Sequence, residues 1–107
     1  MLAPVAIRAA RSMGAQVVIA VDVSAYLERT PAEAPESWRL RDRKRTAMIA
    51  AEMAEADVFI HPDLGYYAAI AVPYRQMCIR QGELAAREAL PAIRAALAKL
   101  GRPPAKP

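Results

Sequence analysis

Gly14–Ser24 reads GAQVVIAVDVS, and the fold turns on this stretch. Val17, Val18, Ile19, Ala20 and Val21 form an unbroken apolar run, with Gly14 before it and Asp22 and Ser24 after it. A strand half exposed to water alternates apolar and polar residues. This one does not, so it is expected to be buried on both faces, as in a parallel sheet covered by helices. The fold class implied is α/β.

Upstream, Met1 to Met13 reads as a short helix. Pro4 falls in its first turn, where the missing N–H would be unpaired in any case. Ile7, Ala10 and Arg11 share one face, and Gly14 suits the residue past the helix end, which commonly needs positive φ. A helix feeding a buried parallel strand normally comes from an earlier strand of the same sheet. The pattern therefore expects a strand before this helix, and the sequence shows none there.

Downstream, Ser24 to Ser37 carries Pro31, Pro35 and three glutamates with little periodicity. It reads as a mobile surface connection. Ser37 to Glu55 reads as a helix capped by Ser37. Leu40, Ala47, Ala51 and Ala54 give it an apolar stripe, with Ile49 and Met53 beside it. Its first half, Arg39 to Arg45, is strongly basic. The plain reading of that run is a solvated helix face. The functional alternative is contact with acidic lipid headgroups or nucleic acid. Trp38 stands alone, with no aromatic interleaving, so nucleic acid is not expected.

Ala56 to Leu64, ADVFIHPDL, reads as a second strand with Val58, Phe59 and Ile60 at its centre. Pro62 stops the ladder, having no N–H to donate. His61 ends the strand, where sites in α/β sheets tend to lie. No serine or cysteine stands in a nucleophile setting beside it, so a structural histidine is expected. Asp63 is expected to shape the turn into Gly65. Tyr66 and Tyr67 fall in a loop, Gly65 to Val72, packed over the sheet edge. A helix follows from Pro73 to Leu90, with Tyr74, Met77, Cys78, Gln81, Leu84 and Ala85 on one face. Cys78 reads there as a small core residue. Pro91 restarts or kinks the helix, and Leu90, Ile93, Leu97 and Leu100 continue the stripe. Residues 102–107, RPPAKP, read as a disordered tail. The two strands, 16–23 and 56–61, are expected to be parallel neighbours joined by a right-handed crossover.

At 107 residues the chain suffices for one small domain. The net charge of +4 is mild and names no partner. No apolar run reaches the roughly 18 residues that span a bilayer. Arginines inside the first apolar stretch argue against a signal peptide. Cys78 is the sole cysteine, so neither an intrachain disulfide nor a zinc thiolate pair can form. A cytoplasmic protein fits these limits. The sequence contains no GxGxxG, P-loop, HExxH, CxxC or GxSxG motif. No catalytic residue, cofactor or metal site is read from it.

Three stretches together resemble the C-terminal part of bacterial patatin-like phospholipases, the family that includes neuropathy target esterase. They are Pro4–Ser24 (PVAIRAARSMGAQVVIAVDVS), Ala56–Leu64 (ADVFIHPDL) and the helix from Pro73 through Ala86–Pro91 (AREALP). The first is similar to the helix and strand after the family's catalytic aspartate, the second to its late strand, the third to its closing helix. Residues 1–101 then resemble the back portion of a three-layer αβα domain. The family hydrolyses lipid acyl esters with a Ser–Asp dyad, the serine in GxSxG and the aspartate in a DG-Gly/Ala turn, with a glycine-rich oxyanion loop. By the resemblance all three are expected upstream of Met1, which would then be an internal methionine of a longer protein read as a start. Neither Asp22 nor Asp63 matches the dyad aspartate, so no catalytic residue carries over. The chain alone is expected to be inactive, peripheral to a membrane at most, and prone to self-association. The competing reading is a stand-alone binding module that touches acidic membrane or a protein through 39–45.

Overall fold

The computed structural model describes residues 4–66 and 71–100. In chain order these form α1 (Ile7–Ser12), β1 (Ile19–Val21), a 3-10 turn (Leu27–Arg29), α2 (Glu36–Met53), β2 (Val58–Ile60) and α3 (Val72–Ala98). The two strands pair in parallel, with Ile19 opposite Val58, Ala20 opposite Phe59 and Val21 opposite Ile60. The chain is thus α/β, with a two-stranded parallel sheet among the described residues.

Alternation along the strands sorts the side chains onto two faces. Val18 and Ala20 pack with Ile7 of α1 and with Phe59. Val58 and Ile60 pack with Ala96 of α3, flanked by Val17, Ala85, Ala89 and Ile93. So α1 takes one face and α3 the other. Arg8 and Arg11 tie α1 to α2 and to the turn after it: the Arg8 amide donates to Glu52 Oε1 at 2.8 Å, and Arg11 Nη2 donates to the Glu55 carbonyl at 2.8 Å. That bonding puts α2 on the side of α1.

The expectation that β1 is buried on both faces is not met. Ala20 is 4% exposed, but Ile19 is 42%, Val21 52% and Val23 70% exposed. The reason is coverage: α3 lies over Val58 and Ile60 of β2 and leaves β1 bare on that face. The strands are also shorter than 16–23 and 56–61, because pairing lasts for three residues only.

The helix ends hold both agreement and correction. Gly14 follows α1 with φ +95°, as the sequence requires. α1 is a six-residue helix rather than one spanning the N-terminus. α2 starts at Glu36, behind Pro35, so Ser37 lies inside it and caps nothing. The apolar stripe expected on α2 faces water: Leu40 is exposed, as are Ala47, Ala51 and Ala54, while Ile49 and Asp42 are buried. Pro91 does not restart the last helix; α3 is one 27-residue element. Proline there removes the bond to the Arg87 carbonyl. Both residues are exposed, so the freed acceptor is open to solvent. The segment 24–37 is not a loose strap. It contains the 3-10 turn and buries Ala34. Tyr67 and the tail 102–107 lie outside the described residues.

Candidate functional site

The carboxyl ends of β1 and β2 bring together Asp22, Ser24, Tyr26 and His61, at the end of a parallel sheet where ligands bind in open α/β folds. Asp22 is 4% exposed. Its Oδ1 accepts from the Ser24 amide at 2.8 Å and from Ser24 Oγ at 2.6 Å. This is an Asx turn, with the side chain bonded two residues on. His61 Nε2 stands 2.7 Å from the Ser24 carbonyl and 3.6 Å from Asp22 Oδ2. A carbonyl only accepts, so Nε2 carries the proton. The Tyr26 ring stacks on the imidazole, with centroids 3.9 Å apart and an interplanar angle of 19°. Its hydroxyl donates to the His61 carbonyl.

Serine, histidine and aspartate are therefore neighbours, but they are not wired as a nucleophile and its base. A base must offer a lone pair to the serine hydroxyl. Here Ser24 gives its proton to Asp22, and His61 gives its own to a backbone carbonyl. The three groups brace two loops together. His61 thus has the structural place expected of it. In the sequence Asp22 and Ser24 mark the polar boundary of the strand, and Asp22 does not match the dyad aspartate of the family that the chain resembles. The D-x-S spacing was the available sign of the turn.

Beneath the brace lies a cavity of about 190 Å³ between the strand ends and α2. Ile49 and Met53 of α2, with Phe59, Tyr26 and the Asp22–His61 pair, form much of its wall. It is smaller than the roughly 300–1,000 Å³ of ordinary ligand pockets.

The basic run is occupied from within. Arg39 Nη2 donates to the Pro31 carbonyl at 2.8 Å, and Arg43 Nη2 to Glu36 Oε1 at 3.0 Å. Arg41 and Arg45 flank Asp42 at 3.4 and 3.2 Å. Arg41 also lies over the Trp38 ring at 5.7 Å. Asp42 itself is 1% exposed. Its Oδ2 accepts from the Tyr66 hydroxyl at 2.6 Å and from Thr30 Oγ1 at 3.2 Å. Burial alone would push its carboxyl up, yet the bonds from Tyr66 and Thr30 and the charge of Arg45 hold it below the usual carboxylate range. The same bond pushes the Tyr66 phenol up. This hub fastens the connection and the loop after β2 to α2.

Asp63 shapes the turn as expected. Its Oδ1 accepts from the Gly65 amide at 3.3 Å, with Gly65 at φ +76°. It also pairs with Arg29, and these two contacts keep its carboxyl low. Cys78 is half-buried on α3 beside Tyr74, whose hydroxyl donates to the Leu64 carbonyl at 3.1 Å. Among the described residues no three His, Cys, Asp or Glu side chains are grouped to hold a metal ion. No helix among them is long and apolar enough to cross a membrane.

Comparison with protein-family models, with curated proteins and with solved structures gave no match.

Proposed function

We propose that this chain is the C-terminal portion of a patatin-like serine acyl-ester hydrolase acting on lipid esters. The dyad and oxyanion loop lie in sequence upstream of Met1, and the chain is inactive without them. The resemblance of three stretches in order and spacing supplies the family. The observation that carries the reading is the bare face of β1, where Ile19 is 42% and Val21 52% exposed on a parallel strand with one neighbour among the described residues. Parallel strands are stable when both faces are covered. Such a strand belongs inside a larger sheet than two strands make.

The shape agrees. The radius of gyration is 16.0 Å, against about 13 Å for a compact domain of this length. In the proposed whole, the Asp22–His61 brace stands at the carboxyl end of the sheet and holds loops in place, while upstream residues do the chemistry. The finer architecture, a three-layer patatin-like domain, is part of this proposal.

The test begins with the DNA upstream of Met1. An in-frame GxSxG and a later DG-Gly/Ala run are expected. The chain extended to include them should hydrolyse p-nitrophenyl butyrate, and replacing the GxSxG serine by alanine should abolish turnover. A stop codon with a ribosome-binding site just before Met1 would defeat the reading. So would a 107-residue chain that elutes as a monomer and unfolds in one sharp transition.

A further inference from the structure

The Asp22–His61 brace leaves one oxygen unused. Asp22 Oδ1 takes both bonds from Ser24, and His61 Nε2 gives its proton to the Ser24 carbonyl. Oδ2 stands 3.6 Å from Nε2, beyond hydrogen-bond distance, and accepts from no other donor among the described residues. Asp22 is 4% exposed, and it lines the cavity of about 190 Å³ beneath the brace. A buried carboxylate oxygen without a donor is costly, and the open space beside this one is the cavity.

The rest of the wall narrows the class of molecule that fits. Tyr26 stacks on the imidazole of His61, and Phe59 meets it edge-on, with centroids 6.2 Å apart and planes at 77°. Ile49, Ala50 and Met53 of α2 add an aliphatic side. Glu28 also lines the cavity, and no lysine or arginine is among the described residues that do. An anion would meet two carboxylates there. A wholly apolar molecule would leave Oδ2 without a donor. A primary ammonium on a short apolar body answers both sides of the cavity. Its N–H donates to a carboxylate, its charge lies against aromatic rings, and its body is covered by α2. Size sets the limit: a cavity of about 150 Å³ holds benzene, so this one takes a single ring or short alkyl chain with its head group.

We propose that the cavity is a binding site for a small primary ammonium compound, an aryl- or alkylamine, anchored by Asp22 Oδ2. The brace and the anchor use different oxygens of one carboxylate, so binding leaves the brace intact. The chain carries a net charge of +4, which works against loose capture of cations over its surface. The site is built from residues 22–61 alone and does not depend on the acyl-ester reading.

The test is saturation-transfer NMR of the 107-residue chain with benzylamine, benzyl alcohol and benzyltrimethylammonium at pH 8 in low salt. The signal is read on the ligand, so it serves whatever the oligomeric state of the chain. Benzylammonium should bind about 10-fold more tightly than benzyl alcohol, the worth of one charge-assisted hydrogen bond. Benzyltrimethylammonium has the charge without the N–H and should bind more weakly than benzylammonium. Asp22→Asn keeps an oxygen for the Ser24 turn, and should bring benzylamine and benzyl alcohol to equal affinity. Ala50→Phe adds a ring to the cavity wall from an exposed position on α2, and should weaken both by about 10-fold. No saturable binding of benzylamine overturns the proposal, as does equal affinity for the amine and the alcohol. A trimethylammonium compound bound as tightly as the primary one assigns the effect to charge alone and overturns the anchor. Discrimination that survives Asp22→Asn, or binding unmoved by Ala50→Phe, places the ligand elsewhere and overturns the site.

Discussion

Arg11 Nη2 donates to Asp57 Oδ2 at 2.7 Å, and the same oxygen takes the Val18 amide at 2.8 Å. One carboxylate thereby joins the end of α1, the start of β1 and the turn into β2. Arg11 extends the clamp to the Gln16 carbonyl at 2.9 Å. The Val18 amide first, and then Arg11, hold the Asp57 carboxyl below its ordinary range. A carboxylate depressed on folding stabilises the fold above its unfolded value, near pH 4, and loses that contribution as pH falls through its folded value. Asp57→Asn is therefore expected to lower the urea midpoint at pH 7. It should also flatten the fall in stability below about pH 4. Circular dichroism melts of both proteins between pH 3 and 7 check this. Parallel curves would refute the clamp.

Asp42→Ala is expected to cost more than any other substitution on the basic face. It removes the carboxylate that accepts from the Tyr66 hydroxyl at 2.6 Å and the buried countercharge of Arg45. A loss of about 2–4 kcal/mol follows from breaking a buried, hydrogen-bonded pair. Thr30→Val removes one 3.2 Å bond and should cost about 1 kcal/mol. Limited proteolysis offers a second readout, since the segment before α2 should become cleavable in Asp42→Ala. An unchanged cleavage pattern would show that the hub fastens nothing.

The 107-residue chain is expected to hydrolyse p-nitrophenyl esters no faster than buffer. Its Ser24 and His61 are both committed as donors, and most of the rate in acyl transfer comes from an activated nucleophile and an oxyanion hole. Turnover abolished by Ser24→Ala, His61→Ala or Cys78→Ala would reveal an independent enzyme.

Gly14→Ala probes the turn into β1. Nothing lies within 4 Å of the position a Cβ would take, so there is no clash. The cost is the strain of φ +95° on a residue with a side chain, about 1 kcal/mol. A melt midpoint equal to the parent's would mean that the turn had rearranged.

The strand pair was legible because unbroken apolar runs rich in β-branched residues say β and two-sidedness at once. The two-sidedness was over-read. Val17 to Val21 describes the surroundings the strand suits, and the described residues supply them on one face. Asp42 was hidden for the opposite reason. Within Arg39 to Arg45 it looks like one more solvated charge, and the groups that bury it lie at Thr30 and Tyr66, too far along the chain for any local pattern. Gly14 and Gly65 could be read, since a turn's need for positive φ is local. The Asp22–His61 brace could be read by halves: each residue stood at a strand end, but only parallel pairing in this register makes the ends meet.

The seam between α3 and β2 has a consequence for how this sequence can change. Ala85, Ala89 and Ala96 let the helix lie close on Val58 and Ile60, with Ile93 as the one large residue of the row. A bulkier side chain at Ala89 or Ala96 would lift the helix from the sheet, so these positions tolerate little beyond serine or glycine. Leu84, Leu90 and Leu97 stand half in water along the same helix. In this chain by itself they are replaceable at little cost. In a larger protein that covers them they would be as restricted as the alanines. The substitutions α3 accepts therefore record whether the chain works alone or as part of something larger.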